Sequence, residues 1–265
     1  MSQNLNTNEA AANNCGAMEF VNHFKNGVNR INKKILSVLL AAVFTANVAN
    51  AQSITVGGHE IALGARAGVN LGTFKGDKEW EDVKMKPGIQ LGLVGEIALE
   101  NPNLGIQLGA LFTQQGCKES DSEEYTIRGV TYKTDWDYKI ILNYLQIPVH
   151  LQYKHDLGDN KLLLQAGPYL GFALGGKWKE SWTETDSSGD RESGSESGTF
   201  TLGNNSSNEF KKFDLGIGLG AAVSIQDKWQ IGLTYNIGLS NITSHHKEET
   251  KNHGLAITLT MMFGR

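Results

Sequence analysis

The sequence predicts an all-β protein, an eight-stranded antiparallel up-and-down β-barrel that crosses a membrane. Apolar residues recur at every second position over eight segments, and the connections between these segments are long and short in turn. Glycine is abundant, with 31 glycines against 4 prolines among 265 residues. The mean hydropathy of -0.30 argues against a bundle of membrane-spanning helices, which would need repeated runs of about 20 apolar residues.

The N-terminal part of the chain is predicted to be an export signal. Lys33 and Lys34 precede an almost wholly apolar run over residues 35–48, and a small-x-small sequence follows it. These are the parts of a secretory signal peptide, and we expect cleavage between Ala51 and Gln52. A membrane-anchoring or buried helix is the alternative, although about 14 apolar residues are short for a span.

The predicted domain organisation is a disordered, asparagine-rich leader with the signal peptide at 1–51, starting near residue 33, and a barrel domain at 52–265. Cys15 would be removed with the leader, so Cys117 would remain alone and no internal disulfide could form. The formal net charge of -4 gives no basic excess, which argues against nucleic acid as a partner.

Each of the eight segments places apolar residues on one face and glycine, glutamine and threonine on the other. In the sixth segment, for example, Leu215 and Ile217 alternate with Gly216 and Gly218. A soluble sandwich or a lipocalin-like barrel also alternates, but small residues on the second face suit the crowded interior of a small membrane barrel. The segments are, in order, 60–72, 88–99, 104–113, 140–154, 161–175, 213–226, 229–240 and 253–263.

The connections predict the orientation of the barrel. Long polar loops on one side and short turns on the other are typical of outer-membrane barrels, with the turns and both chain ends in the periplasm. Aromatic residues near 123–139 predict that strands three and four continue outward as a hairpin, whereas the acidic, serine- and glycine-rich segment 176–211 is predicted to be mobile. The long connections are 73–86, 116–139, 176–211 and 241–252, and the short ones are 100–103, 155–160 and 227–228.

Five ionisable residues fall on the predicted lumen face: Arg66, Glu96, His150, Lys154 and Asp214. A lone charge is poorly solvated in a narrow lumen, so opposite charges should pair there. We expect a structural polar plug in which Arg66 meets Glu96 or Asp214, and a charge-lined selective pore is the alternative.

The sequence gives little support for catalysis, a metal site or a cofactor, and none of these is expected. His150, or His245 and His246 beside Ser244, could serve a hydrolase, but none lies in a recognisable nucleophile motif. The loop histidines, together with His253, lack the ligand spacing of a metal site and are interpreted as solvated.

Several stretches resemble one known family. The residues that carry the resemblance are YLQIPVHLQYK at 144–154, QAGPYLG at 165–171, DLGIGLG at 214–220 and YNIGLSNI at 235–242. They are similar to the outer-membrane-protein β-barrel domain family, often labelled the porin family, over about 60–265. The last strand, 255–263, also resembles the assembly signal of such barrels, an alternating strand that closes on an aromatic residue.

The resemblance implies an integral outer-membrane protein with a structural, surface-interaction or secretion-associated role. A small-solute porin and a lipid-modifying enzyme are the alternatives, of which the enzyme is the less favoured. The implied partners are outer-membrane lipid, the barrel-assembly machinery, and surface or secretion-apparatus proteins.

Overall fold

The computed structural model describes residues 53–56, 59–76, 83–205, 207–244 and 249–263. The predicted cleavage site at Ala51 and Gln52 lies outside these residues and stays a prediction. The described chain forms one antiparallel sheet of eleven strands. They are β1 (Ser53–Val56), β2 (His59–Gly76), β3 (Lys84–Ala98), β4 (Leu104–Gln115), β5 (Cys117–Ile127), β6 (Val130–Leu157), β7 (Asn160–Asp186), β8 (Arg191–Phe200), β9 (Phe213–Ile225), β10 (Trp229–Gly238) and β11 (Thr250–Met262).

Eight of these strands close into a ring. β2, β3, β4, β6, β7, β9, β10 and β11 each pair with the next, and β11 pairs back to β2, with Leu255 opposite Leu71. Closure leaves no free edge around the ring. The predicted eight-stranded antiparallel up-and-down barrel is therefore confirmed.

The two faces of the ring have the polarity of a barrel in lipid. In β9, Leu215, Ile217 and Leu219 are exposed on the outside, while Asp214 and Gly216 are buried inside. The same alternation makes glutamine, asparagine and threonine the main inward residues of the other strands. An apolar exterior around a polar interior is the reverse of a soluble protein and fits a membrane-spanning barrel.

No helix in the described part of the chain has the length and apolar content that a membrane-spanning helix needs.

A second structural unit extends the barrel at the end with the long connections. We call it the rim sheet: four strands in the order β5, the first part of β6 (130–140), the last part of β7 (176–186) and β8. The hairpin predicted within 123–139 is confirmed, because Ile127 lies opposite Val130 across a turn at Arg128 and Gly129, which both have positive φ.

The prediction that 176–211 is mobile is wrong for most of that segment, since 176–186 and 191–200 are paired strands. Its glycines have a packing role instead. Gly194 and Gly198 lie opposite Trp182 and Trp178, and a Cβ at either glycine would stand 2.6 Å from an indole Nε1. The two glycines, which are typical of a flexible linker, here leave room for two tryptophan rings.

Candidate functional site

The lower part of the lumen, which is the part nearer the short turns, contains a connected polar network around Glu96. The side chain of Glu96 is almost wholly buried. Its carboxylate accepts hydrogen bonds from Gln107 Nε2 at 3.3 Å and Gln230 Nε2 at 2.7 Å, and it pairs with Lys154 Nζ at 3.4 Å. Arg66 Nη2 donates to Gln107 Oε1 at 2.7 Å, and Arg66 Nε donates to Thr260. The structure thus brings together three of the predicted lumen residues, with an amide linking Arg66 to Glu96.

Asp214 lies in a different cluster, among neutral donors. It accepts hydrogen bonds from Tyr169 Oη at 3.3 Å, Ser240 Oγ at 2.9 Å and Asn252 Nδ2 at 3.0 Å. Asn252 Nδ2 also donates to Tyr144 Oη at 3.2 Å. These donors satisfy the carboxylate without a cation, so the structure gives Asp214 a hydrogen-bonding role apart from Arg66.

His150 faces the lumen as expected but joins neither cluster. Within the described residues, neither of its ring nitrogens has a hydrogen-bond partner, although the residue is buried. Its ring fills the space beside Gly218, where a Cβ would stand 2.6 Å from Nε2. The packing of this imidazole therefore depends on a glycine of β9, the strand on the far side of β7.

The lumen is closed at its upper end by a hydrophobic cluster, which we call the apolar cap. The segment after β8 folds over the barrel mouth and places Phe210 in this cluster. Lys211 N donates to Ile242 O at 2.7 Å, and Ser244 Oγ donates to Gly203 O at 2.8 Å, which fixes the segment in place. The buried members of the cap are Phe74, Cys117, Ile140, Leu142, Tyr144, Ala173, Phe210 and Ile242.

The rim sheet has an inner face, continuous with the lumen side of β6, that carries aromatic rings and carboxylates. Trp136 stacks on Tyr138 with ring centroids 5.8 Å apart, and Tyr138 stacks on Trp178 at 6.3 Å. The register places eight carboxylates on this face: Glu119, Asp121, Glu123, Glu180, Glu184, Asp186, Glu192 and Glu196.

Two carboxylates of the inner face accept hydrogen bonds from aromatic side chains. Trp136 Nε1 donates to Glu180 Oε1 at 2.7 Å, and Tyr125 Oη donates to Glu184 Oε2 at 2.7 Å. The hydrogen bond to Glu184 raises the pKa of Tyr125, because it holds the phenol proton beside a carboxylate. In the described parts of the chain, none of the eight inner-face carboxylates makes an ion pair.

The opposite, outer face pairs its acids with lysines. Lys118 Nζ lies 2.9 Å from Asp137, and Lys133 Nζ lies 3.2 Å from Asp135. A hydrogen bond from Ser120 and the nearby Lys118 lower the pKa of Asp137. The two faces of the rim sheet therefore differ in charge, and only the outer one neutralises its acids internally.

The described residues contain no group of three or more histidine, cysteine, aspartate or glutamate side chains that could hold a metal ion. His253 Nδ1 lies 3.2 Å from Tyr235 Oη, while His245 and His246 lie outside the described residues. Ser244 Oγ donates to a backbone carbonyl.

A closed ring with an apolar exterior and a polar interior is typical of one known protein family. A family model described as outer membrane protein beta-barrel domain matches residues 49–244. The chain belongs to this family. Members of the outer membrane protein beta-barrel domain family are outer-membrane proteins, so this chain is located there. The rim sheet lies at the end of the barrel opposite the short turns.

Solved outer-membrane barrels are similar to this chain at low identity. Ail, the attachment invasion locus protein of Yersinia pestis, solved with the heparin analogue sucrose octasulfate, is 13% identical, with a TM-score of 0.35 over 77% of this chain and 99% of Ail. Neisserial surface protein A is 10% identical, with a TM-score of 0.32 over 76% and 97% of the two chains. CarO2 of Acinetobacter baumannii is 12% identical, with a TM-score of 0.30 over 75% and 98%. A search of curated proteins finds no match.

Proposed function

We propose that this protein acts as a surface-interaction protein, and that it uses the inner face of the rim sheet to contact a positively charged partner outside the cell. One observation carries the proposal: the lumen is filled, by the Glu96 network and the apolar cap, while the rim sheet presents aromatic rings and carboxylates that make no ion pair among the described residues. Eight strands leave an interior that side chains can fill, which weighs against a porin.

The chemistry of the inner face favours a cationic partner. Tyr125 is 41% exposed and Trp182 is 36% exposed, so both present large rings to the exterior. Aromatic faces attract ammonium and guanidinium groups, and nearby carboxylates strengthen that attraction. Glu180 lies directly opposite Glu196, and Glu184 lies opposite Glu192, so a cation between them would relieve repulsion between like charges.

A secretion-associated role would use the same surface and differs only in the identity of the partner. Among the described residues, which exclude His245 and His246, neither Ser244 nor His150 is part of a nucleophile and base pair, so a lipid-modifying enzyme gains no support there. Outer-membrane lipid and the barrel-assembly machinery stay expected partners of the barrel itself.

The proposal is tested with purified protein in lipid nanodiscs, with fluorescent oligolysine and oligoglutamate as probes. We expect the wild type to bind oligolysine and not oligoglutamate. The double variant Tyr125→Ala, Trp182→Ala should weaken oligolysine binding about 5- to 30-fold, since each ring contributes about 0.5–1 kcal/mol at an exposed site. Ser181→Ala, Thr183→Ala on the outer face of β7 is the matched control and should bind as the wild type does. Equal binding of both probes, or an unaffected double variant, would contradict the proposal.

A further inference from the structure

Lysines from adjacent strands lie directly opposite one another where the barrel passes into the rim sheet. Lys84 of β3 is opposite Lys118 of β5, Lys118 is opposite Lys139 of β6, and Lys139 is opposite Lys179 of β7. On the other side of β3, Lys75 of β2 is opposite Lys251 of β11. We call these six side chains, Lys75, Lys84, Lys118, Lys139, Lys179 and Lys251, the lysine row.

This arrangement is unfavourable within the protein alone. Like charges directly opposite one another on paired strands destabilise a sheet. Two carboxylates partly offset the row, with Lys118 Nζ 2.9 Å from Asp137 and Lys251 Nζ 2.8 Å from Glu249. Among the described residues, Lys75, Lys139 and Lys179 make no ion pair. The row therefore carries an excess of positive charge that an external anion would neutralise.

Four lysines of the row lie at a similar height above the lipid-facing surface. On each of four strands we count the residues between the lysine and the last exposed apolar side chain that faces outward. The four counts agree to within one residue. Lys75 is six residues after Val69, Lys139 six before Leu145, Lys179 seven after Phe172 with one extra residue at the bulge, and Lys251 six before Ile257.

That height matches the headgroup layer. Half-buried Leu71 and Leu255 extend the apolar surface to four positions from Lys75 and Lys251. Four residues of a strand tilted by about 40° rise roughly 10 Å along the membrane normal. The polar layer of a bilayer leaflet is about 5–8 Å thick, and a lysine stem can bend its ammonium group back toward it. The ammonium groups of the row can thus reach lipid headgroups.

We propose that the lysine row binds the phosphate groups of anionic lipid in the outer leaflet. The outer face of the rim sheet, which carries Lys118, Lys139 and Lys179, is directed away from the barrel axis and so toward surrounding lipid. The carboxylates of the inner face are directed over the barrel mouth, away from that lipid. The lysine-bearing face is therefore directed toward lipid phosphates, and the carboxylate-bearing face is directed away from them.

The test measures binding of a defined phosphorylated lipid to the full-length barrel. Wild type is compared with the row variant Lys75→Gln, Lys139→Gln, Lys179→Gln, Lys251→Gln. The matched control, Lys133→Gln, Lys161→Gln, Lys212→Gln, Lys228→Gln, removes the same charge at other sites. Binding of diphosphoryl lipid A and of its dephosphorylated form is measured by native mass spectrometry. Heat-modifiable gel mobility verifies that each variant is folded.

Each lysine beside a charged membrane surface strengthens binding roughly five-fold. We therefore expect the row variant to bind diphosphoryl lipid A at least about 100-fold more weakly than wild type, and the control variant to bind like wild type. The dephosphorylated lipid should bind the wild type as weakly as the phosphorylated lipid binds the row variant. Binding of oligolysine to the inner face should not change, which separates this proposal from the proposed function.

Three results would overturn the proposal. The folded row variant could retain the affinity of the wild type, or the control variant could lose as much affinity, which would assign the effect to net charge. Alternatively, the row variant could lose self-association while keeping its lipid, in which case an acidic surface of a second copy would be the anion that the row binds.

Discussion

At the scale of single residues, the lumen is organised by one carboxylate that satisfies donors from several strands. Glu96 on β3 receives side chains from β4, β6 and β10. Alternation along each strand predicts that Arg66, Glu96, His150, Lys154 and Asp214 point inward, because the side-chain period of a strand is two. It does not predict Gln107 or Gln230 as partners, since distances across the lumen depend on the stagger of the strands.

Removing the Glu96 carboxylate should leave Lys154 and two amides without their acceptor. We expect Glu96→Ala to lower the free energy of unfolding by about 3–5 kcal/mol, because two buried amides lose their acceptor and the partly buried Lys154 loses its ion-pair partner. Glu96→Gln should cost less, since it keeps an acceptor oxygen. The measurement is urea unfolding in lipid vesicles, followed by tryptophan fluorescence.

Asp156→Ala supplies the control, because Asp156 is an exposed carboxylate near the end of β6. Its effect should stay within about 0.5 kcal/mol. A Glu96→Ala barrel as stable as the Asp156→Ala barrel would show that the network contributes nothing to stability.

At the scale of elements, the change from barrel to rim sheet depends on local irregularities that the sequence does not mark. Periodicity predicts the eight spanning segments and the hairpin after β4. It does not predict the bulge at Leu174, where Asn143 pairs with Gly175 and Tyr144 with Ala173. The bulge reverses the side-chain parity of β7, which puts Trp178 and Trp182 on the inner face. A prediction from composition alone assigns β8 to a mobile segment. It is wrong because serine and glycine also occur in strands that face large rings.

Gly116, between β4 and β5, is a position in this transition where a side chain would be costly. Its φ is +125°, and a Cβ would stand 2.0 Å from the backbone oxygen of Ile140. We expect Gly116→Ala to destabilise the protein by about 2–3 kcal/mol, from backbone strain together with the clash.

Gly175→Ala is the matched change on β7, where a Cβ would meet nothing within 4 Å. It should alter stability by less than about 0.5 kcal/mol in the same urea titration. Equal losses in both variants would indicate that the space around Gly116 adapts to a side chain.

At the scale of the whole molecule, two filled layers stand in series along the lumen. The polar network occupies the lower part, and the apolar cap closes the upper end. Ions passing through would have to displace a buried carboxylate network and then cross a dehydrated cluster, both at high cost.

The purified protein is therefore expected to give no steady conductance steps in planar bilayers. Phe210→Ala removes a ring from the cap but leaves the network below it, so this variant should stay closed as well. Steady single-channel steps from the folded wild type would contradict the filled lumen and favour the porin alternative.

Outside the membrane, the rim sheet ends in two strands with open sides. β8 pairs only with β7, and beyond Lys118 the outer part of β5 pairs only with β6 in the described chain. An open strand edge can pair with a strand of a neighbouring molecule, and charged side chains along the edge prevent such pairing. β5 carries Glu119, Asp121, Glu123 and Glu124, and β8 carries Glu192 and Glu196. Neighbouring copies at high density on one cell should therefore repel each other at these acidic strand edges. Their rim sheets should not pair with one another.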